Sequence, residues 1–376
     1  MAGRPNEVYK GSHKKRGIAG AVLFILAVLL VGAVVMFYSF QKYLVYGQDG
    51  VKLELPILAS AAPAAESGSP QQSGDAQAEL VVDQPDYSSV ATTADGDTPA
   101  LCALFVPAES VTDEGIKSYQ DKMSAWGATG LVLEVRPDSG QLVYASQVST
   151  ASSYGLGGTY DLRAKVAELK EAGIYLAAQI NCCADNLLAS RNPPIALHNA
   201  FGGVFTDEDG NMWLDPYNPD TRSYAAALVR ELSEMGFDEV LLRGAEMPIT
   251  DQMIVYSQTM SFTPTPVSAV SGFVLSVARA TASCTARVSA VLDSETLHGA
   301  LTEVTGQDAE LFFKLFDRVC CWADSAWQYG VDGETFAPYV TVGDAAARYT
   351  PVVTYVPEGA RSWVLKIIDY TAEGAG

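Results

Sequence analysis

Polar and apolar positions change rhythm three times along this chain. Ile18 to Phe40 is a run of 23 residues without a charge, long enough as a helix to cross the apolar core of a bilayer. Residues 59–100 are rich in Ala, Ser, Pro, Gly, Gln and Asp and poor in large apolar side chains. They bury too little surface to offset their ordering entropy and read as a flexible tether. From residue 101 short apolar runs alternate with stretches in which apolar residues recur every three to four positions, the pattern of strand and amphipathic helix. The runs predict strands over 101–106, 129–135, 174–180, 237–242, 286–292, 318–323, 337–342 and 363–369. Helices are predicted over 113–126, 161–172, 220–235, 266–281, 307–317 and 343–349, several of them stopped by a glycine. Eight strands separated by helices is the count of a (β/α)8 TIM-type barrel, because parallel strands need such crossovers.

The segment from Asn211 to Pro248 is the clearest unit. Asn218 suits a helix N-cap and Pro219 the first helical position, where a missing N–H costs nothing. Tyr224, Ala225, Leu228, Leu232 and Met235 follow at helical spacing, Gly236 ends the helix, and Phe237 to Leu242 reads as a buried strand. Chemistry in such folds sits where strands end, which points to the loop from Arg243 to Pro248.

WLDPYNP (213–219), a tyrosine about a turn and a half later at Tyr224 and GFDE (236–239) opening a strand resemble a family of extracytoplasmic glycoside hydrolases built as (β/α)8 barrels. The resemblance extends to GLVLEVRPDSGQLVYAS (130–146), DLRAKVAELKEAGIYLAAQI (161–180) and TGQDAELFFKLFDRVCCWADS (305–325), and so spans most of residues 100–325. It implies a barrel acting on carbohydrate. The chain departs from that family where strand four ends. An aspartate followed by an arginine is usual there, and this chain carries Arg243 and Glu246. At strand three the usual arginine is Gln179.

Charge and targeting set the expected organisation. Residues 1–16 carry Arg4, Lys10, Lys14, Lys15 and Arg16 against Glu7, a net of +4, so with −20 on the whole chain the remainder holds −24. A basic flank before an apolar span is expected to stay in the cytoplasm and leave the rest outside. The span is too long for a typical signal-peptide core and no small-residue cleavage site directly follows it, so an uncleaved signal anchor is expected. The resulting organisation is a cytoplasmic tail at 1–16, a transmembrane helix at 17–40, a juxtamembrane segment and linker at 41–100, and the barrel at 101–376. The expected location is the cell membrane, single-pass, with the barrel extracytoplasmic. So acidic a surface offers no basic stripe for nucleic acid or anionic lipid.

Glycoside cleavage usually takes two carboxyl groups, one to protonate the leaving oxygen and one to act as nucleophile or to activate water. Strand ends supply Glu134, Asp138, Asp185, Glu246, Asp293, Glu295, Asp324 and Asp369. Glu134 alternates with apolar residues in LVLEVR, which aims it at the barrel mouth together with Arg136, with Arg243 as a further partner. The expected catalytic residues are Glu134 with Glu246 or Asp293. Trp213 and Tyr217 offer flat faces for sugar rings, as does Trp322. Arg243 suits an anionic sugar such as a uronate or, alternatively, neutralises a neighbouring acid. His198 and His298, in loops after strands three and five, suit proton transfer near neutral pH. No metal site is expected, since His-x-x-x-His and Cys-x-x-Cys spacings are absent. No cofactor is expected either, since the glycines of YGLGGTYD fit neither a dinucleotide nor a P-loop fingerprint. Of the six cysteines, at least four fall inside or at the ends of predicted buried strands, and mostly free, buried thiols are expected.

Three functions stay open on these grounds: a hydrolase of envelope or extracellular polysaccharide, a barrel that binds glycan or an envelope partner without cleaving it, and an unrelated α/β enzyme or structural protein. A shared barrel does not by itself transfer activity.

Overall fold

The computed structural model describes residues 44–47, 50–53, 98–258, 263–292, 296–322, 340–356 and 358–367. The expected transmembrane span at 17–40 and almost all of the linker lie outside these residues. Among the described residues no helix is long and apolar enough to cross a membrane. The chain divides into two compact units, 1–81 and 82–376. In the first, Leu44–Gly47 and Gly50–Leu53 pair as an antiparallel hairpin.

The second unit holds a closed barrel of eight parallel strands in chain order: β1 (Cys102–Val106), β2 (Gly130–Arg136), β3 (Tyr175–Asn181), β4 (Glu239–Arg243), β5 (Arg287–Leu292), β6 (Val319–Trp322), β7 (Tyr349–Val353) and β8 (Trp363–Leu365). β8 closes on β1, with Val364 opposite Ala103. This is the TIM-type (β/α)8 fold. Five helices of the surrounding shell are α1 (Asp113–Trp126), α2 (Leu162–Glu171), α3 (Pro219–Met235), α4 (Pro266–Thr281) and α5 (Ala309–Leu315). Each begins on a side-chain cap, from Thr112, Asp161, Asn218, Thr265 and Asp308 respectively. These caps satisfy N–H groups that have no partner inside the helix, which is why the boundaries were legible.

Period-two alternation divides the strand side chains between two cores. Ala103, Phe105, Val132, Ala177, Leu241, Val291, Cys320, Val352 and Val364 fill the barrel interior. Leu104, Leu131, Leu133, Leu176, Val240 and Leu242 face outward against the helices. At the N-terminal end of the interior lies a buried ion pair, Arg318 Nε to Glu239 Oε1 at 2.9 Å, with neither side chain exposed. Tyr175 donates to the same carboxylate at 2.8 Å, and Arg318 also reaches Thr350 Oγ1 and the Pro99 carbonyl. Such a pair persists inside a barrel only because every donor and acceptor is answered.

Two expectations are corrected. The seventh strand is Tyr349–Val353, not 337–342; residues 340–342 are not strand, and 337–339 lie outside the described residues. Pro351 disguises it, since proline is rare inside a paired strand. β8 pairs only with Val352 and Val353 on that side, so the missing N–H falls beyond their ladder. Arg136 also points elsewhere than expected. The register of β2 against β3 shifts between Glu134 and Arg136, and this bulge turns the next side chain outward. Arg136 is buried against the helix layer, paired with Asp185 and lying 5.2 Å from the centre of the Tyr224 ring. The six cysteines are all free, four of them buried.

Candidate active site

The side chains that follow the interior core toward the C-terminal ends of the strands line a cleft of about 680 Å³: Phe105, Glu109, Glu134, Asp138, Arg243, Trp322 and Lys366 among them. The strand pattern puts them there. Glu134 continues the inward set of β2 after Val132, Arg243 that of β4 after Leu241, Trp322 that of β6 after Cys320, and Lys366 that of β8 after Val364.

Glu134 accepts a hydrogen bond of 3.1 Å from the Ala108 N–H, in the turn that leaves β1. Burial is the largest influence on its carboxyl and raises its pKa above the usual range. The Ala108 N–H and the Arg243 charge pull it down, and Asp138 and Glu109 push it further up. A carboxyl that keeps its proton at higher pH is suited to general-acid work.

Asp138 is the second acid of the cleft. Its Oδ1 accepts from Arg243 Nη1 at 2.6 Å and from Asn181 Nδ2. Its Oδ2 has no partner among the described residues. Asn181, buried at the end of β3, is itself oriented by the Ala184 N–H, which donates to its Oδ1 at 3.1 Å. Gly244 makes room for this arrangement. Its φ is +64°, and a side chain there would run into the Asn181 amide.

Trp322 forms one wall of the cleft. The Phe105 ring meets it edge-on at 5.7 Å, the Lys366 ammonium lies 4.9 Å from its centroid and the Arg243 guanidinium 5.9 Å. A flat indole beside two carboxyls is a surface on which a sugar ring can stack.

The other expected site residues lie elsewhere. Glu246 and Trp213 line a separate pocket of about 280 Å³ with Asp207, Glu208 and Asp209. Trp213 is buried there and donates to Asp207 Oδ2 at 2.8 Å. Tyr217 packs edge-on against Tyr256 at 6.4 Å, with the Arg222 guanidinium over its ring. His198 belongs to a two-residue strand paired with Ile254–Val255. Asp293 lies outside the described residues, with Glu295, Asp324 and Asp369, and so does the His298 side chain. Arg243 and Glu134 thus share a cleft, but Arg243 holds Asp138 rather than Glu134.

The motif WLDPYNP organises loops. The buried Asp215 accepts from the Ser257 N–H and hydroxyl, both 2.7 Å from its Oδ2, and from the Tyr217 N–H at 2.7 Å. Asn218 caps α3 and donates to Ser257 Oγ at 2.9 Å. Together they tie the loop after β3 to the loop after β4. GFDE likewise serves the strands: Asp238 accepts the Leu176 N–H at 2.8 Å, and Glu239 belongs to the buried pair inside the barrel.

Asp138, Asn181 and Lys366 were absent from the expected site. Asp138 was visible as a strand-end acid in RPDSG, but its partner lies 105 residues away. Lys366 carries no local signal, because nothing in KIIDY marks which positions face inward.

A family model described as "Putative glycosyl hydrolase domain" matches residues 103–374. Among solved structures, the glycoside hydrolase domain of PgaB (BpsB) from Bordetella bronchiseptica is similar with a TM-score of 0.51 and 12% identity, covering 72% of this chain and 94% of that one. A hypothetical protein from Ruminiclostridium thermocellum ATCC 27405 is 22% identical over 50% of this chain and 96% of its own, with a TM-score of 0.45. At 12% identity the likeness to the PgaB domain shows the fold alone. No curated protein matches the chain.

Proposed function

The chain belongs to this family of glycosyl hydrolase domains, and from that premise we propose that it acts on polysaccharide as a glycoside hydrolase, with Glu134 as general acid and Asp138 as the second carboxylate. The observation that carries this reading is the pair itself. Among the described residues Glu134 forms no salt bridge with an arginine, and it holds its proton more tightly than an ordinary carboxyl. Asp138 has one oxygen fixed by two donors and the other without a partner among the described residues. Two carboxyls whose surroundings differ in this way divide the acid and base roles. Glu134 would protonate the departing glycosidic oxygen, while Asp138 attacks the sugar carbon or takes a proton from water. The ring on the far side of the bond would stack on Trp322.

A barrel that binds glycan without cleaving it is the second reading. Arg243 favours it, because its donor and that of Asn181 already occupy one oxygen of Asp138. Product release decides between them. The full-length chain is incubated with a panel of envelope and extracellular polysaccharides, and new oligosaccharides are sought by mass spectrometry. Hydrolysis predicts products that fall by roughly 10²–10⁴-fold in a Glu134→Gln variant. Binding of a polymer without products from any of them supports the second reading.

We also propose that residues 17–40 anchor the chain in the cell membrane with the barrel outside. The uninterrupted apolar run and its basic flank support this. After cell fractionation the chain should resist alkaline carbonate extraction, and protease added to intact spheroplasts should remove the barrel. Release into the carbonate supernatant would overturn the anchor.

A further inference from the structure

Acidic residues outnumber basic ones in this chain, 44 to 24, yet the inward positions at the mouth place two cations beside one indole. Arg243 spends a single nitrogen on Asp138, and its Nε and Nη2 have no hydrogen-bond partner among the described residues. Lys366 is the more telling of the two. Three carboxyls line the same cleft, but the Lys366 ammonium forms no ion pair with any of them, and its contact among the described residues is the Trp322 ring at 4.9 Å. An exposed lysine usually trails into water. This one is brought to the cleft by the parity of β8, since Val364 two positions earlier fills the barrel interior. The indole face then favours a cation lying over it.

We propose that Lys366, with the spare donors of Arg243, forms a subsite for an acidic group on the glycan, a carboxylate, sulfate or phosphate carried by the sugar stacked at Trp322. The proposal rests on the reading of this cleft as a carbohydrate site, though not on hydrolysis. The ammonium supplies three donors as a point charge, and the guanidinium offers a planar pair to the same anion. The acidic residues outside the cleft oppose a polyanion only at long range. At physiological ionic strength that repulsion fades beyond about 8 Å, whereas the contact at Lys366 is direct. Neutral polymers would gain the stacking without the charge-assisted bonds.

The test uses the full-length chain and acidic polysaccharides, each paired with the same polymer after chemical reduction of its carboxyl groups, together with sulfated and desulfated forms of a third polymer. Binding is read by affinity electrophoresis and product release by mass spectrometry. The expected result is binding at least about tenfold tighter to an acidic form than to its neutral counterpart, the scale of one or more charge-assisted hydrogen bonds. Lys366→Met should abolish that preference, so that acidic and neutral forms bind alike, and Lys366→Arg should retain it. A preference confined to the sulfated polymer supports the subsite and assigns it to sulfate. Equal affinity for charged and neutral forms overturns the proposal, as does an equal loss on both in Lys366→Met or no binding to any acidic form. The two readings separate cleanly. Charge preference without products keeps the subsite and removes hydrolysis, whereas Glu134-dependent products without charge preference do the reverse.

Discussion

In the proposed general-acid role, Glu134 would serve chemistry at the expense of stability. Its carboxyl titrates higher in the fold than in the unfolded chain, chiefly because it is buried. The stabilising contribution is therefore complete below the unfolded carboxyl range and is lost as pH rises through the folded value. Glu134→Gln removes the loss while its amide oxygen can still accept the Ala108 N–H. The variant should melt higher than the parent at pH 7, and the difference should shrink toward zero near pH 4, as read by thermal denaturation at both pH values. If Glu134 is the proposed general acid, its neighbours set the alkaline limb of activity. Glu109 pushes the Glu134 carboxyl up, so Glu109→Gln should move the limb of kcat/KM to lower pH, because the acid loses its proton sooner. Arg243→Met should move the carboxyl the other way. A limb that stays put in both variants would mean that Glu134 is not the group seen.

Elements decide where these residues point. β2 was legible from its alternation, but its bulge was not, and the bulge separates Glu134 in the mouth from Arg136 in the helix layer. The sequence alternation alone would put both on one face. The loop tie at Asp215 is another feature of elements. Its two donating backbone groups belong to segments 40 residues apart, Tyr217 and Ser257. Removing the carboxylate leaves both N–H groups and the Ser257 hydroxyl unanswered, so Asp215→Ala should lower stability by about 1–3 kcal/mol. The Tyr217 and Ser257 amides should exchange with solvent markedly faster while those of β3 and β4 hold, a contrast that hydrogen exchange by mass spectrometry or NMR resolves. Uniform acceleration would place the tie in the global core instead.

At the scale of the molecule, the barrel is fastened at its N-terminal end and carries the candidate site at the other. Arg318 and Glu239 carry opposite charges with neither side chain exposed. Arg318→Met leaves an uncompensated buried carboxylate and should cost about 3–5 kcal/mol in urea unfolding, with Glu239→Gln in the same chain restoring much of it. A single variant that unfolds like the parent would show that the pair adds nothing. At the mouth the same inward parity delivers Glu134, Arg243, Trp322 and Lys366 from four strands, and the loop after β2 adds Asp138. A barrel can vary that rim freely because the layers beneath it supply the stability.

The sequence alone determined the alternating architecture, the helix boundaries and the place of Glu134 and Arg243 at the barrel mouth, because caps, glycines and hydrophobic period are local and each acts within a few residues. Tertiary structure decided which charges meet. Arg243 finds Asp138 rather than Glu134, Glu246 lies in another pocket with Trp213, and Lys366 reaches Trp322, all through barrel closure and one bulge that no local pattern encodes. The seventh strand belongs with these, since Pro351 is admissible only because the ladder to β8 begins one residue later, at Val352. Such choices depend on how strands separated by tens to hundreds of residues register against each other, and register is a property of the closed sheet.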